Sequence, residues 1–143
     1  DPRLPVADEP DWDDDDKIYS GAVLAEQTRI ARNDAIAFVF PVWWWSVPAM
    51  TKGWIDRVWN NGWAYGARKL PHRKALMIGI AANSAEGYRE RGDEAAMRSQ
   101  LLVGVLNYCG IKNADLRLFY DALETDEIRA TLIEEARRLG REF

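Results

Sequence analysis

Two unbroken apolar runs, "AIAFVF" at 35–40 and "KALMIGIAA" at 74–82, constrain the fold more than any other feature of the chain. Each is short for a buried helix and lacks the alternation of a half-exposed strand, so each reads as a strand buried on both faces. Such strands need helices above and below them. Helix-patterned segments stand where that requires. "GAVLAEQTRIARND" (21–34) precedes the first run, and "AMTKGWIDRVWN" (49–60) precedes the second, with Met50, Trp54, Ile55, Val58 and Trp59 at helical spacing. In a third unit, "DEAAMRSQLLVGVLNYC" (93–109) predicts a helix ended by Gly110, and "DLRLFY" (115–120) predicts a partly exposed strand. A last helix is expected from about 126 to 139, with Thr125 as N-cap and Gly140 as its stop. Its acidic first turn (Asp126, Glu127) and basic last turn (Arg137, Arg138) suit the helix dipole. The fold class implied is α/β, a parallel sheet covered on both faces. One domain is expected over 1–143, an acidic loop at 1–20 followed by αβ units at 21–143.

The rest of the composition excludes several partners. Nineteen basic against 23 acidic residues give a net charge of −4, with no basic stripe for a nucleic-acid backbone. The stretch "DPRLPVADEPDWDDDDKIYS" is acidic and broken by three prolines, and reads as an irregular solvated segment. Its aspartates lack the ligand spacing of a calcium loop, and one histidine makes no metal site, so no metal is expected. Cys109 is the single cysteine, which excludes a disulfide framework, and it reads as a small buried hydrophobe. No apolar run approaches the ~18 residues of a membrane span, and no basic-then-apolar leader is present. The expectation is a cytoplasmic protein without a membrane span.

Ligands of open parallel sheets bind beyond the carboxyl ends of the strands. Two segments fall there, 41–48 and "ANSAEGYRERG" at 82–92. In the first, Pro48 suits the first turn of a helix and Ser46 is available to cap it. Trp43, Trp44 and Trp45 offer a flat, π-rich wall beside backbone amides, suited to a planar heteroaromatic ligand; packing in the core or at a dimer interface is the alternative. Trp54 and Trp59 read as core. In the second, Ala81, Ala82, Asn83 and Ser84 are small enough for their amides to approach a ligand and stabilise charge that appears on reduction. Tyr88 is either a proton donor or an ordinary loop tyrosine. His72, in "PHRK", reads as a surface-loop histidine.

"FPVWWWSVPAMTKGWIDRVWNNGWAYG" (40–66) resembles the signature of the flavodoxin-like NAD(P)H:quinone oxidoreductases, the family of DT-diaphorase and the potassium-efflux ancillary reductases. The shared pattern is a Phe-Pro strand end, a tryptophan-bearing turn, Val-Pro-Ala, Lys-Gly-Trp, Asp-Arg-Val and Trp-Ala-Tyr. "LNYCGIKNADLRLFY" resembles the family's later helix, Cys-Gly turn and last strand, and "DPRLP" the acidic loop after its second strand. The resemblance implies a flavodoxin-like three-layer sandwich binding FAD or FMN, with NADH or NADPH as donor. Pro41, Val42, Trp43, Trp44 and Trp45 fall on the turn that contacts the isoalloxazine, with Trp44 on its most regular tryptophan. Ile80, Ala81, Ala82 and Asn83 fall on the loop whose amides contact the flavin ring, often Thr-Thr-Gly-Gly in relatives. Tyr88 falls on the active-site tyrosine. The histidine that some relatives use beside it is replaced by the stretch Gly92, Asp93, Glu94. Tyr65 falls on a residue that reaches the partner subunit's site, which implies a homodimer.

The implied reaction is ping-pong: hydride passes from the nicotinamide to the flavin, and a quinone-like acceptor then leaves with two electrons. The family's first strand, phosphate-cradling helix N-terminus and second strand precede "DPRLP" and are not found in these residues. The expectation is that the 143 residues, N-terminally incomplete for this fold, are part of a longer protein that supplies them. Two alternatives to the enzyme stay open, a regulatory or ancillary subunit of an ion-efflux system and a flavinless interaction module.

Overall fold

The computed structural model describes residues 5–143, so the resemblance drawn on "DPRLP" lies outside the described residues apart from Pro5. Strands β1 (Ala35–Pro41), β2 (Lys74–Ile80) and β3 (Ala114–Phe119) form a parallel sheet in the order β1-β2-β3. Helix α1 (Gly21–Ala31) leads into β1 and α2 (Ala49–Val58) connects β1 to β2. Between β2 and β3 lie α3 (Ala85–Arg91) and α4 (Asp93–Arg98), the latter running on as a π-helical stretch (Ser99–Asn107). Helix α5 (Asp126–Glu142) ends the chain.

Side-chain alternation along β2 divides the interior into two layers. Ala75 and Met77 face the larger core, with Phe40, Ile55, Trp59, Leu101 and Leu116. Leu76 and Ile78 face the other side, where Phe119 and Leu139 cover them under α5. The central strand is therefore buried on both faces, as its apolar run predicts. β1 is not. Phe40 is buried, but Val39 is 66% exposed, because α5 packs over β2 and β3 and stops short of β1. Val39 instead lines the open apolar groove between α5 and the sheet. The outer edge of β1 has no partner strand among the described residues.

Several local expectations change. The 82–92 segment is not a loop throughout: Ser84 accepts from the Gly87 amide at 3.2 Å and starts α3, so Tyr88 stands on a helix. The helix expected over 93–109 widens into a π-helix, with the amide of Tyr108 donating to the Val103 carbonyl, and it closes at Gly110 as expected: Gly110 has φ 104°, its amide donates to the Asn107 carbonyl and that of Ile111 to the Leu106 carbonyl. The wider turn brings Leu101 and Leu106, five residues apart, to the same core. Pro48 is the N-cap of α2 with no side-chain cap bond, so Ser46 does not cap it. Gly140 does not stop α5, whose last turn is held by Arg138 bonding both Glu135 and Glu142.

Burial also overrides two readings. His72 is not on the surface; it is buried, and its Nε2–H donates to the Ile30 carbonyl at 3.0 Å, closing the end of α1. In the acidic segment Asp8 is fully buried. It accepts from the Ser20 amide and hydroxyl at 3.0 Å each and from Arg57 Nε at 2.9 Å, which fastens the short 3-10 turn Val6–Asp8, in a segment expected to be irregular, to α1 and α2. No helix among the described residues is long and apolar enough to cross a membrane.

Candidate functional site

Strand register sets Pro41 opposite Ile80 and Ile80 opposite Phe119, so the carboxyl ends of all three strands share one edge. The Val42 amide donates to the Ile80 carbonyl at 2.8 Å and the Ala81 amide to the Phe119 carbonyl at 2.8 Å. These bonds bring 41–45 and 80–83 together into one surface. Gly79 permits the approach: a Cβ there would stand 2.8 Å from Leu118 Cδ2 and 3.0 Å from Val42 Cγ2.

Beyond Val42 the chain makes a tight turn. Trp43 and Ser46 exchange two backbone hydrogen bonds, both 3.1 Å, and between them Trp44 and Trp45 have φ of 52° and 53°. Two successive left-handed residues define the hairpin turn that asparagine and glycine favour. Bulky side chains in that backbone cost on the order of 1–3 kcal/mol each. None of the three tryptophans enters the core: Trp43, Trp44 and Trp45 are 59%, 89% and 40% exposed. Trp45 meets Trp44 edge-on at 6.4 Å, and the Ser46 hydroxyl donates to Gln100 Oε1 at 3.3 Å, tying the turn to the π-helix. The amides of Trp44, Trp45, Ala82 and Asn83 find no acceptor among the described residues. Trp59 is core as expected, while Trp54 is half-buried and donates from Nε1 to Glu26 at 2.9 Å.

Tyr88 projects from α3 with its ring buried and set T-shaped against Tyr120 at 5.2 Å. The Tyr120 hydroxyl donates to Glu94 Oε2 at 2.9 Å, and Glu94 Oε1 accepts from Arg98 Nε at 2.8 Å. Arg98 is anchored by donating from Nη2 to the Leu116 carbonyl of β3 at 2.8 Å. Burial raises the Tyr88 hydroxyl above its ordinary pKa; Asp93 adds to that and Arg91 opposes it. Burial and then the bond to Glu94 push Tyr120 up further, while the bonds from Arg98 and Tyr120 hold Glu94 down. The other neighbour is Arg91, whose Cζ lies 5.9 Å from the Trp45 ring centroid and 6.0 Å from that of Tyr88. Sequence reasoning missed Arg91, Arg98 and Tyr120, and names Glu94 only within the stretch that stands where some relatives have a histidine. The spacing from Gly87 and Tyr88 to Arg91 would have exposed the first, had 85–91 been read as helical.

Tyr65 has different neighbours. It is buried between Trp12 at 5.1 Å and Tyr108 at 5.8 Å, beside a groove that reaches Trp59 and Cys109. Cys109 is buried as expected, and burial raises its thiol pKa to about 11.

Known proteins give this geometry a context. A family model described as the flavodoxin-like fold matches residues 1–141. The chain is 39% identical over 126 residues to the uncharacterized NAD(P)H oxidoreductase YcaK of Escherichia coli, covering 87% of this chain and 64% of that protein. The structure of this chain superposes on an NAD(P)H:quinone oxidoreductase from Methanothermobacter marburgensis with a TM-score of 0.85 at 34% identity, over 90% of this chain and 65% of that one. General stress protein 14 of Treponema denticola, solved in complex with FMN, aligns with a TM-score of 0.60 at 26% identity, over 81% and 67%. The chain thus spans a little under two thirds of the first two relatives. By the family match along nearly its whole length and by its parallel sheet with helices on both faces, the chain belongs to the flavodoxin-like fold family.

Proposed function

We propose that the protein is a flavin-dependent NAD(P)H oxidoreductase that reduces quinones or similar acceptors. One observation carries the reading: an exposed tryptophan turn in unfavourable backbone has two amides of its own, and two more from the neighbouring loop, that have no acceptor among the described residues. A soluble surface gains nothing from that arrangement, whereas a planar, electron-rich ring system would use both the wall and the donors. The names of the relatives, and the FMN in one solved structure, support the same chemistry.

FAD or FMN, bound at this edge, would supply two-electron transfer from NADH or NADPH to the acceptor in alternating half-reactions. Pro41, Val42 and the tryptophans at 43–45 form the wall, which packs on the ring and excludes water from it. Ile80 and Ala81 carry the second loop, and the amides of Ala82 and Asn83, which have no acceptor among the described residues, would be donors for the edge of a bound flavin ring. Tyr88 keeps its proton at neutral pH and presents it from Oη to the acceptor oxygen. Tyr120 and Glu94, in place of a histidine partner, hold the Tyr88 ring. The assembly proposed is a cytoplasmic homodimer of one flavodoxin-like domain per subunit, with Tyr65, in the groove beside Trp12 and Tyr108, on the face toward the partner's site.

A visible absorption spectrum of the purified protein, taken before and after anaerobic NADH or NADPH, tests this reading. The expected result is a flavin band that bleaches. A protein that stays colourless after incubation with FMN and FAD would overturn it.

A further inference from the structure

Arg91 places a cation between the tryptophan turn and α3. Helical side chains lean back toward the helix N-terminus, so Arg91 lies over the preceding turn, above Gly87 and beside Tyr88. A Cβ at position 87 would stand 3.1 Å from Arg91 Nη1 and 3.7 Å from Nη2, so the guanidinium occupies the space that a side chain at 87 would fill. Aromatic rings flank it on two sides, Trp45 from the turn and Tyr88 from its own helix. Its Nε donates to Asp93 Oδ2 at 2.8 Å, while Nη1 and Nη2 have no acceptor among the described residues. The half-exposed arginine is thus anchored through its Nε, with its fork of donors still available beside the tryptophan wall.

A fork in that position matches a sulfonate, a carboxylate or an ionised ring hydroxyl. We propose that Arg91 is a specificity-determining residue, which makes the site favour planar acceptors carrying an anionic substituent by pairing that substituent with Nη1 and Nη2 while the ring lies against Trp45. That such ligands accept electrons rests on the oxidoreductase reading; the preference for an anionic planar ligand does not. Asp93 shares the arginine's charge, so it tempers the preference and its removal should strengthen it.

The experiment compares wild type with Arg91→Gln, Arg91→Lys and Asp93→Asn, using menadione as the neutral quinone and a naphthoquinone sulfonate as the anionic one. Two ratios of anionic to neutral are read, one of kcat/KM and one of binding affinity from quenching of tryptophan emission. Arg91→Gln should lower both ratios about tenfold. Arg91→Lys should fall between Arg91→Gln and wild type, and Asp93→Asn should rise above wild type. Ratios unchanged in Arg91→Gln, or lowered alike in Arg91→Gln and Asp93→Asn, would overturn the proposal, the latter by showing that the ion pair is only structural. If Arg91→Gln fails to fold, a rise in Asp93→Asn supports the proposal and no rise overturns it. A protein that reduces neither quinone yet shows the expected quenching ratios would overturn the oxidoreductase reading and uphold the role of Arg91.

Discussion

Trp43 and Ser46 bond each other twice through their backbones and so hold the two tryptophans between them at positive φ. Glycine carries no Cβ penalty there, although it gives back about 0.5–1 kcal/mol through the freer unfolded chain. Trp44→Gly should therefore stabilise the protein by about 1 kcal/mol in urea unfolding while weakening flavin retention. A Trp44→Gly protein that is no more stable would count against strain in this turn.

Tyr88 should act as a proton donor rather than a phenolate. Its pKa lies above the ordinary 10 because of burial and the nearby Asp93, so the phenol persists across the neutral and mildly basic range. Quinone reduction should show no loss attributable to this group between about pH 7 and 9. Tyr88→Phe should lower kcat/KM about a hundredfold or more, with the flavin spectrum unchanged. A fall in the wild-type rate that begins near pH 8 and vanishes in Tyr88→Phe would contradict this.

Asp8 should make the protein sensitive to acid. Burial pushes its carboxyl up, but the Ser20 amide, the Arg57 guanidinium and the Ser20 hydroxyl together outweigh that and hold it below the ordinary value. A carboxyl with a lower pKa folded than unfolded binds its proton less readily in the native state. Its contribution is present above about pH 4 and is lost as the pH falls through the folded value. Asp8→Asn should cost about 2 kcal/mol at pH 7 and flatten the acid limb of the stability profile. Equal acid slopes in the two proteins would show that Asp8 is not the group responsible.

The Tyr120–Glu94 bond should couple to the site through Tyr88. A double-mutant cycle with Tyr120→Phe and Glu94→Gln should give an interaction of about 1 kcal/mol in stability, because one charge-assisted bond is shared. Additive single effects would mean that the bond contributes nothing.

Cys109 should resist thiol reagents in the native protein. Its thiol is buried, and its pKa of about 11 leaves little thiolate at neutral pH. Labelling with a chromogenic disulfide should be slow until urea unfolds the chain, and fast labelling without denaturant would show that the groove around it opens.

What the sequence reveals about this fold follows the range of the forces involved. The run "KALMIGIAA" marks β2 because burial on both faces leaves an unbroken apolar stretch. The same signature at β1 says nothing of how far α5 extends, so the exposure of Val39 was not legible. Helix α3 was hidden because Gly87 and its charged residues suppress the apolar period, although Ser84 stood three residues before the amide it caps. Three tryptophans in a row drew attention to 43–45, but their backbone strain was invisible, since left-handed turns are usually betrayed by glycine or asparagine. Asp8 and His72 are buried by partners 49 and 42 residues away, and Glu94 meets Tyr120 across 26. No local pattern encodes those meetings.

Tryptophan at both left-handed positions of a turn also bears on how such a sequence drifts. A single base change converts a tryptophan codon into a glycine codon, and glycine is the better residue for that backbone. Neutral drift therefore runs downhill toward losing the rings at 44 and 45, and only selection acting on the rings opposes it. A mutant library screened for solubility alone would be expected to empty these positions of tryptophan early, while one screened for turnover would keep them.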